Sequence, residues 1–335
     1  MSIVLSELRS DEIALYEQYL EDFIPERVFD CHAHLYRQDL LGAGVLAQAS
    51  GIVNGPRVVD RLVYQEALSA MMPRRAPLGG LFFPYPSETL DMQASNDFIA
   101  GEVATHACSR GLMMVQPGDD PAKVEAAVLQ QRLAGFKVYY IYSGVAEPLN
   151  STPGSYIPEW IWEISHRHRL VIMVHLVMPR ALAEIENQRY IVDHCRRYSD
   201  AQLVLAHAAR GFCARHTIDS VAVLSDLPNV WFDTSAICEP EAFSAILRVF
   251  GVHRLVFGSD FPISSYRARP VSMGDGFWWV DESDVPASWK LGRPIACGLQ
   301  SLLAIKQACQ SVGLSTASVK ALFWDNSMTL LGIGE

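Results

Sequence analysis

Eight short apolar, β-rich runs recur along this chain with helix-like stretches between them, and that alternation limits the folds open to it. The runs are "RVFDCHAH" (27–34), "LGGLFFPYP" (78–86), "GLMMVQPG" (111–118) and "LAGFKVYY" (133–140), followed by "RLVIMVHL" (169–176), "QLVLAHAA" (202–209), "NVWFDTSA" (229–236) and "RLVFGSDFP" (254–262). Each is nearly continuous in apolar residues, as a strand covered on both faces must be. Stretches such as "PAKVEAAVLQQRL" and "EPEAFSAILRVFG" between them open with Pro or an acidic residue, as first helical turns often do. Strand-then-helix units repeated eight times point to an α/β fold of the (β/α)₈ TIM-barrel type. An open doubly wound sheet would call for a glycine-rich phosphate turn after an early strand, and the sequence has none.

The expected organisation is one domain over residues 1–335. It comprises an N-terminal helical extension (1–26), the barrel strands (27–262), and a substrate loop with C-terminal helices (263–335). Residues 37–77 and 263–296 are long elaborations after the first and last strands, on the face where barrel loops carry function, so both are expected pocket walls. A net charge of −10 without any Lys/Arg cluster argues against nucleic-acid or anionic-membrane partners. No apolar run is long enough to span a bilayer, and the N-terminus lacks the pattern of a signal peptide. Seven scattered cysteines without a CxxC pair fit reduced thiols in a cytoplasm.

The polar residues that interrupt the apolar runs gather at their C-terminal ends. The first run ends in His32 and His34, whose spacing of two puts both rings on one face of a strand. Later runs contribute Lys137, His175, His207, Asp233 and Asp260. Two histidines at a strand end could merely bond to nearby backbone. Ionisable groups on so many successive strand ends are costly to bury without a cation, however, and imidazoles with carboxylates suit Zn²⁺ or another divalent first-row metal.

With H-x-H in "DCHAH", the histidines of "VIMVHL" and "LVLAHAAR", the aspartate of "VFGSDFP" and the closing "LFWDNSMTLLG", the chain resembles the amidohydrolase superfamily, in its amidohydrolase-related (amidohydrolase 2) branch. In the closing segment Asn326 matches the branch pattern, while Ser327 stands where alanine is usual. The resemblance implies a metal-dependent TIM-barrel enzyme holding one or two divalent ions, zinc above all. His32, His34, His175 and Asp260 would ligate the metal, and His207 would serve a second metal or orient substrate and water. Lys137 would be a carboxylated bridge between two metals, or else a cation paired with Asp233 or a substrate carboxylate. Asp260 and His207 would be the catalytic pair.

The expected reaction is hydrolysis of a lactone, amide or related carbonyl bond in a small carboxylated molecule. A decarboxylase or hydratase on the same site is the alternative, and a vestigial, non-catalytic barrel the remaining one. Arg210, Tyr266, Arg267 and Arg269 follow the sixth and eighth runs and are expected to meet the substrate, because guanidinium pairs with carboxylate through two parallel bonds. Asp233 is expected to support a ligand from behind, and Cys31, alternating away from His32, to face the barrel–helix layer. The stretch "GFWWV" (276–280) either closes the pocket, packs within its loop or contacts a second subunit; a homodimer is the expected assembly.

Overall fold

The computed structural model describes residues 7–42, 52, 55–286, 288 and 293–334. Part of the expected pocket wall at 37–77 and of the segment 263–296 therefore lies outside the described residues. Each of the eight apolar runs contains a strand: β1 Phe29–Arg37, β2 Gly79–Pro84, β3 Arg110–Val115, β4 Gly135–Val138, β5 Val171–Val174, β6 Gln202–Leu205, β7 Val230–Asp233 and β8 Leu255–Val256. They pair in parallel in chain order, and a short antiparallel strand, Val58–Val59, joins the outer edge of β1. The result is a curled nine-stranded sheet in a mixed α/β fold. Beyond β8 the chain returns to β1. Cys31 N–H donates to the carbonyl of Phe257 (2.7 Å), Asp260 N–H to that of His32 (2.8 Å) and His34 N–H to that of Phe261 (2.8 Å).

Alternation along the strands sorts their side chains into two layers. Val171 and Met173 of β5, Val204 of β6, Trp231 of β7 and Val256 of β8 join one cluster with Leu81, Phe83 and Leu112. Their neighbours Ile172, Val174, Leu203, Leu205 and Phe232 face the other way, into a larger cluster shared with the helices. Several of those helices begin where the sequence carries an acidic residue or Pro. Asp91 and Asp120 accept N–H bonds from the first turns of helices Met92–Ala104 and Pro121–Gln130, and Pro240 opens helix Pro240–Phe250.

Strand β1 breaks the simple alternation. Its register against β2 runs Asp30↔Gly80 and then Ala33↔Phe82, so Cys31 and His32 together face a single residue. This bulge corrects the expectation for Cys31. The thiol lies in the inner cluster with Phe29 and Leu81, not in the barrel–helix layer, and contacts Ser327 Oγ at 3.2 Å. Burial pushes its pKa up, so the side chain is inert as expected, though from a different place.

The C-terminal segment explains the closing motif of the sequence. Trp324, Leu330 and Met328 cover the inner cluster, with the Trp324 ring edge-on to Phe29 at 6.2 Å. Asn326 donates two 2.8 Å bonds from its amide to the carbonyls of Val252 and Leu255, which pins this segment to β8. After β8, strands β9 Ala268–Met273 and β10 Gly276–Asp281 form an antiparallel hairpin that, among the described residues, pairs with no other strand. Among the described residues no helix is long and apolar enough to cross a membrane.

Candidate metal centre

His32 and His34 do project to one side, with ring centroids 5.5 Å apart and both edge-on to the Phe83 ring. Backbone and carboxylate acceptors fix their outward nitrogens. His34 Nδ1 donates to the Pro84 carbonyl at 3.0 Å, and His32 Nδ1 to Asp233 Oδ2 at 2.8 Å. In the neutral rings this directs both Nε2 lone pairs at Asp260, whose Oδ1 lies 3.3 Å from His32 Nε2 and 3.5 Å from His34 Nε2. His32 Nε2 is fully buried and makes no hydrogen bond. Two imidazole lone pairs facing one carboxylate oxygen make a site for a cation.

Charge states agree with that reading. Burial drives the His32 pKa down to about 4, leaving the ring neutral. Asp260 is also enclosed, which works to raise its pKa, yet His207, His34 and His32 hold it below the ordinary carboxylate range. Neutral imidazole and ionised carboxylate are the forms that bind metals. A second convergent set, His32, His207 and Asp233, is already consumed by hydrogen bonds. Asp233 Oδ1 accepts from His207 N–H (2.8 Å), Ser235 N–H (3.1 Å) and Ser235 Oγ–H (2.5 Å), while His207 Nδ1 lies 2.8 Å from Ser235 Oγ and 3.1 Å from the Ser235 carbonyl. Asp233 thus stands behind both histidines. Its carboxylate stays ionised because His32 and the other donors overcome the effect of burial.

The backbone that presents these groups is strained where it matters. His207, Ala208, Ala209 and Arg210 all have positive φ, between 50° and 62°, forming a left-handed turn at the end of β6. Each such residue costs about 1–2 kcal/mol. The Gly211 N–H bond to the His207 carbonyl (2.7 Å) and the Thr217 hydroxyl bond to that of Ala208 (3.0 Å) hold the turn. Asp260 also has φ of 59°. Asp30, just upstream of the H-x-H pair, braces this side: its carboxylate accepts from Ser259 N–H, Ser259 Oγ, Tyr64 Oη and His32 N–H. Burial raises its pKa to about 6.

The other expected residues divide into those near this centre and those elsewhere. Lys137 is fully buried, with Nζ 4.7 Å above the Phe83 ring and no hydrogen-bond partner; burial lowers its pKa to about 8. It pairs with neither Asp233 nor Asp260 through a salt bridge. His175 packs its ring against His207 (4.8 Å), Tyr139 (5.2 Å) and Tyr140 (5.5 Å), outside both convergent sets. Tyr266 is buried with Tyr36 and Asp260 nearby, which together with burial pushes its phenol pKa up. Arg210 is half-buried, donates to the Met178 carbonyl (2.9 Å) and lies 5.3 Å from the Phe277 ring centre.

Arg267, expected to meet the substrate, is engaged elsewhere. Its guanidinium is turned to the N-terminal helix, where it donates to both oxygens of buried Glu12 at 2.7 and 3.0 Å. Arg269, within β9, instead donates to backbone, the carbonyls of Pro270 and Cys238 at 3.4 and 3.5 Å. Ser235 was missed by sequence reasoning, although it is one of the hydroxyls that follow Asp233 in "DTSA". A polar pair closing an apolar run was the available signal.

A family model described as amidohydrolase matches residues 29–333. The chain belongs to the amidohydrolase family, in its amidohydrolase 2 branch. Its fold is shared with a zinc-bound amidohydrolase from Burkholderia multivorans (18% identity, TM-score 0.57, covering 92% of this chain and 100% of that one). It is shared as well with 5-carboxyvanillate decarboxylase from Sphingomonas paucimobilis (13%, 0.57, 92% and 100%) and 4-oxalomesaconate hydratase from Rhodopseudomonas palustris (15%, 0.56, 91% and 95%). No curated protein matches the sequence.

Proposed function

We propose that this protein is a metal-dependent hydrolase acting on a lactone, amide or related carbonyl bond of a small carboxylated molecule. The fold is read as a single-domain (β/α)₈ barrel. The observation that carries the proposal is the buried, unpartnered His32 Nε2 facing Asp260 beside His34 Nε2. These three residues would hold a divalent ion, most readily zinc, with His175 completing the set from the end of β5. Bound there, the ion would polarise a substrate carbonyl and acidify a coordinated water. The chain supplies the remainder. Asp260, ionised although enclosed, is placed to accept a proton from water and return it to the leaving group. His207, its Nδ1–H turned to the Ser235 carbonyl, presents the Nε2 lone pair, which would orient and activate water or serve a second metal. Arg210, Tyr266 and Arg269 would orient a carboxylate of the substrate. Lys137 is kept as a bridging candidate because its buried amine has a pKa near 8 and no partner.

The test is metal content followed by turnover. Protein purified without chelators should contain about one or two metal equivalents, and His32→Ala should lose them. If Lys137 is a carboxylated bridge, Lys137→Ala loses one equivalent; unchanged stoichiometry ends that role. A panel of lactones, amides and enol acids should then turn over in preference to their methyl esters. Metal-free wild-type protein after growth in zinc would overturn the proposal. Release of CO₂, or addition of water without bond cleavage, would replace hydrolysis with the lyase chemistry named for the Sphingomonas and Rhodopseudomonas structures.

A further inference from the structure

A two-stranded hairpin has little stability of its own, so where β9–β10 sits is decided by what holds it. Its tip, at the turn between the strands, carries Asp275. One carboxylate oxygen lies 3.0 Å from His216 Nε2, on the helix Ala214–Ser220 after β6, and the other 3.1 Å from Arg180 Nε, in the loop after β5. Along its length, Ser272 donates backbone N–H (3.0 Å) and hydroxyl to Glu239 Oε1, in the loop after β7. Its inner face meets the centre: Phe277 packs on Phe212 at 4.8 Å and over the Arg210 guanidinium at 5.3 Å, and Phe212 lies 5.3 Å from the His207 ring. The hairpin is thus tied to the loops after β5, β6 and β7 while its Phe277 covers Arg210.

We infer that the β9–β10 hairpin is a lid over Arg210 and His207, latched at its tip by Asp275 to Arg180 and His216, and that Asp275 is a positioning residue for Arg210. The inference rests on the functional reading above only in giving Arg210 a substrate to hold. With the latch made, Phe277 keeps the guanidinium in place against the Met178 carbonyl. With the latch released, the hairpin retains only its side contacts, and Arg210 gains solvent and freedom.

The test uses the full-length protein and needs no substrate. Asp275→Asn should speed amide hydrogen exchange across residues 268–281 and phenylglyoxal labelling of Arg210 by about two- to tenfold, the range for two partly exposed ion pairs. Labelling of exposed Arg196 should not change. Arg180→Gln should act likewise, the double variant should add little to either, and Asp275→Glu should restore part of the protection. Unchanged exchange and labelling in Asp275→Asn would overturn the latch. With a carboxylated substrate in hand, KM should rise severalfold while kcat holds; faster labelling without any change in KM would overturn the positioning role. Labelling stands apart from turnover, so failure to find a substrate would weigh against the proposed reaction and leave the lid to its own result.

Discussion

At the scale of single residues, the centre depends on groups that bear no chemistry. Gly258 lies beneath His32, and a Cβ built on it would come within 2.8 Å of His32 Cβ, closer than real contacts allow. Neither backbone can retreat, because β1 and the segment after β8 are bonded to each other on either side. Gly258→Ala is expected to destabilise the protein by about 1–3 kcal/mol, as overpacking does, and to weaken metal retention by displacing His32. Gly101, in helix Met92–Ala104, has nothing within 4 Å of the same built atom. Gly101→Ala should stabilise by about 1 kcal/mol through helix propensity alone. Urea unfolding of both variants, with metal content measured alongside, separates a steric effect from a general intolerance of alanine.

Among the elements, the N-terminal helix Ser10–Leu15 is more than an extension of the chain. Its Glu12 is buried and accepts from Arg267 and from the backbone N–H of Ala296 (2.9 Å), so it ties this helix to the segment leading from β8 to helix Cys297–Ser311. Burial works to raise the Glu12 pKa, but Arg267 and the N–H groups of Arg9 and Ala296 prevail and hold it below the ordinary value of 4.5. A carboxylate with a depressed folded pKa contributes fully above its unfolded value, and that contribution disappears as pH falls through the folded one. Glu12→Gln should therefore cost about 2 kcal/mol near neutrality, less than a fully enclosed pair because Arg267 is partly exposed. The gap between variant and wild type in urea midpoint should narrow as pH falls below the ordinary value of 4.5 and close once the folded carboxylate is protonated. A gap independent of pH would mean that the contact matters for shape and not for charge.

For the whole molecule, metal and fold should be linked. The convergent ligands His32, His34 and Asp260 come from β1 and from the turn after β8, the two ends of the parallel sheet, so an ion held between them joins those ends. Anything that binds only the folded state stabilises it, by about 2.7 kcal/mol at a hundredfold excess over the dissociation constant. Zinc should raise the melting temperature of chelator-treated protein, and His34→Ala should abolish the rise while still folding. A rise of equal size in that variant would place the bound metal elsewhere.

The sequence alone determined the strands and much of the site, because both depend on local rules. Continuous apolar runs make buried strands, their order sets parallel neighbours, and polar residues at their ends share one face of the sheet. His32, His34, Asp233 and Asp260 were legible on those grounds. What only the tertiary structure decided are the places where local rules are overridden by packing. The bulge in β1 turned Cys31 inward, since two residues there oppose one across the sheet. A left-handed turn, which no propensity favours for His, Ala or Arg, aimed His207 and kept Arg210 beneath Phe277. Arg267 went to Glu12, more than two hundred positions away, because a buried carboxylate must find a cation and sequence distance has no bearing on which one.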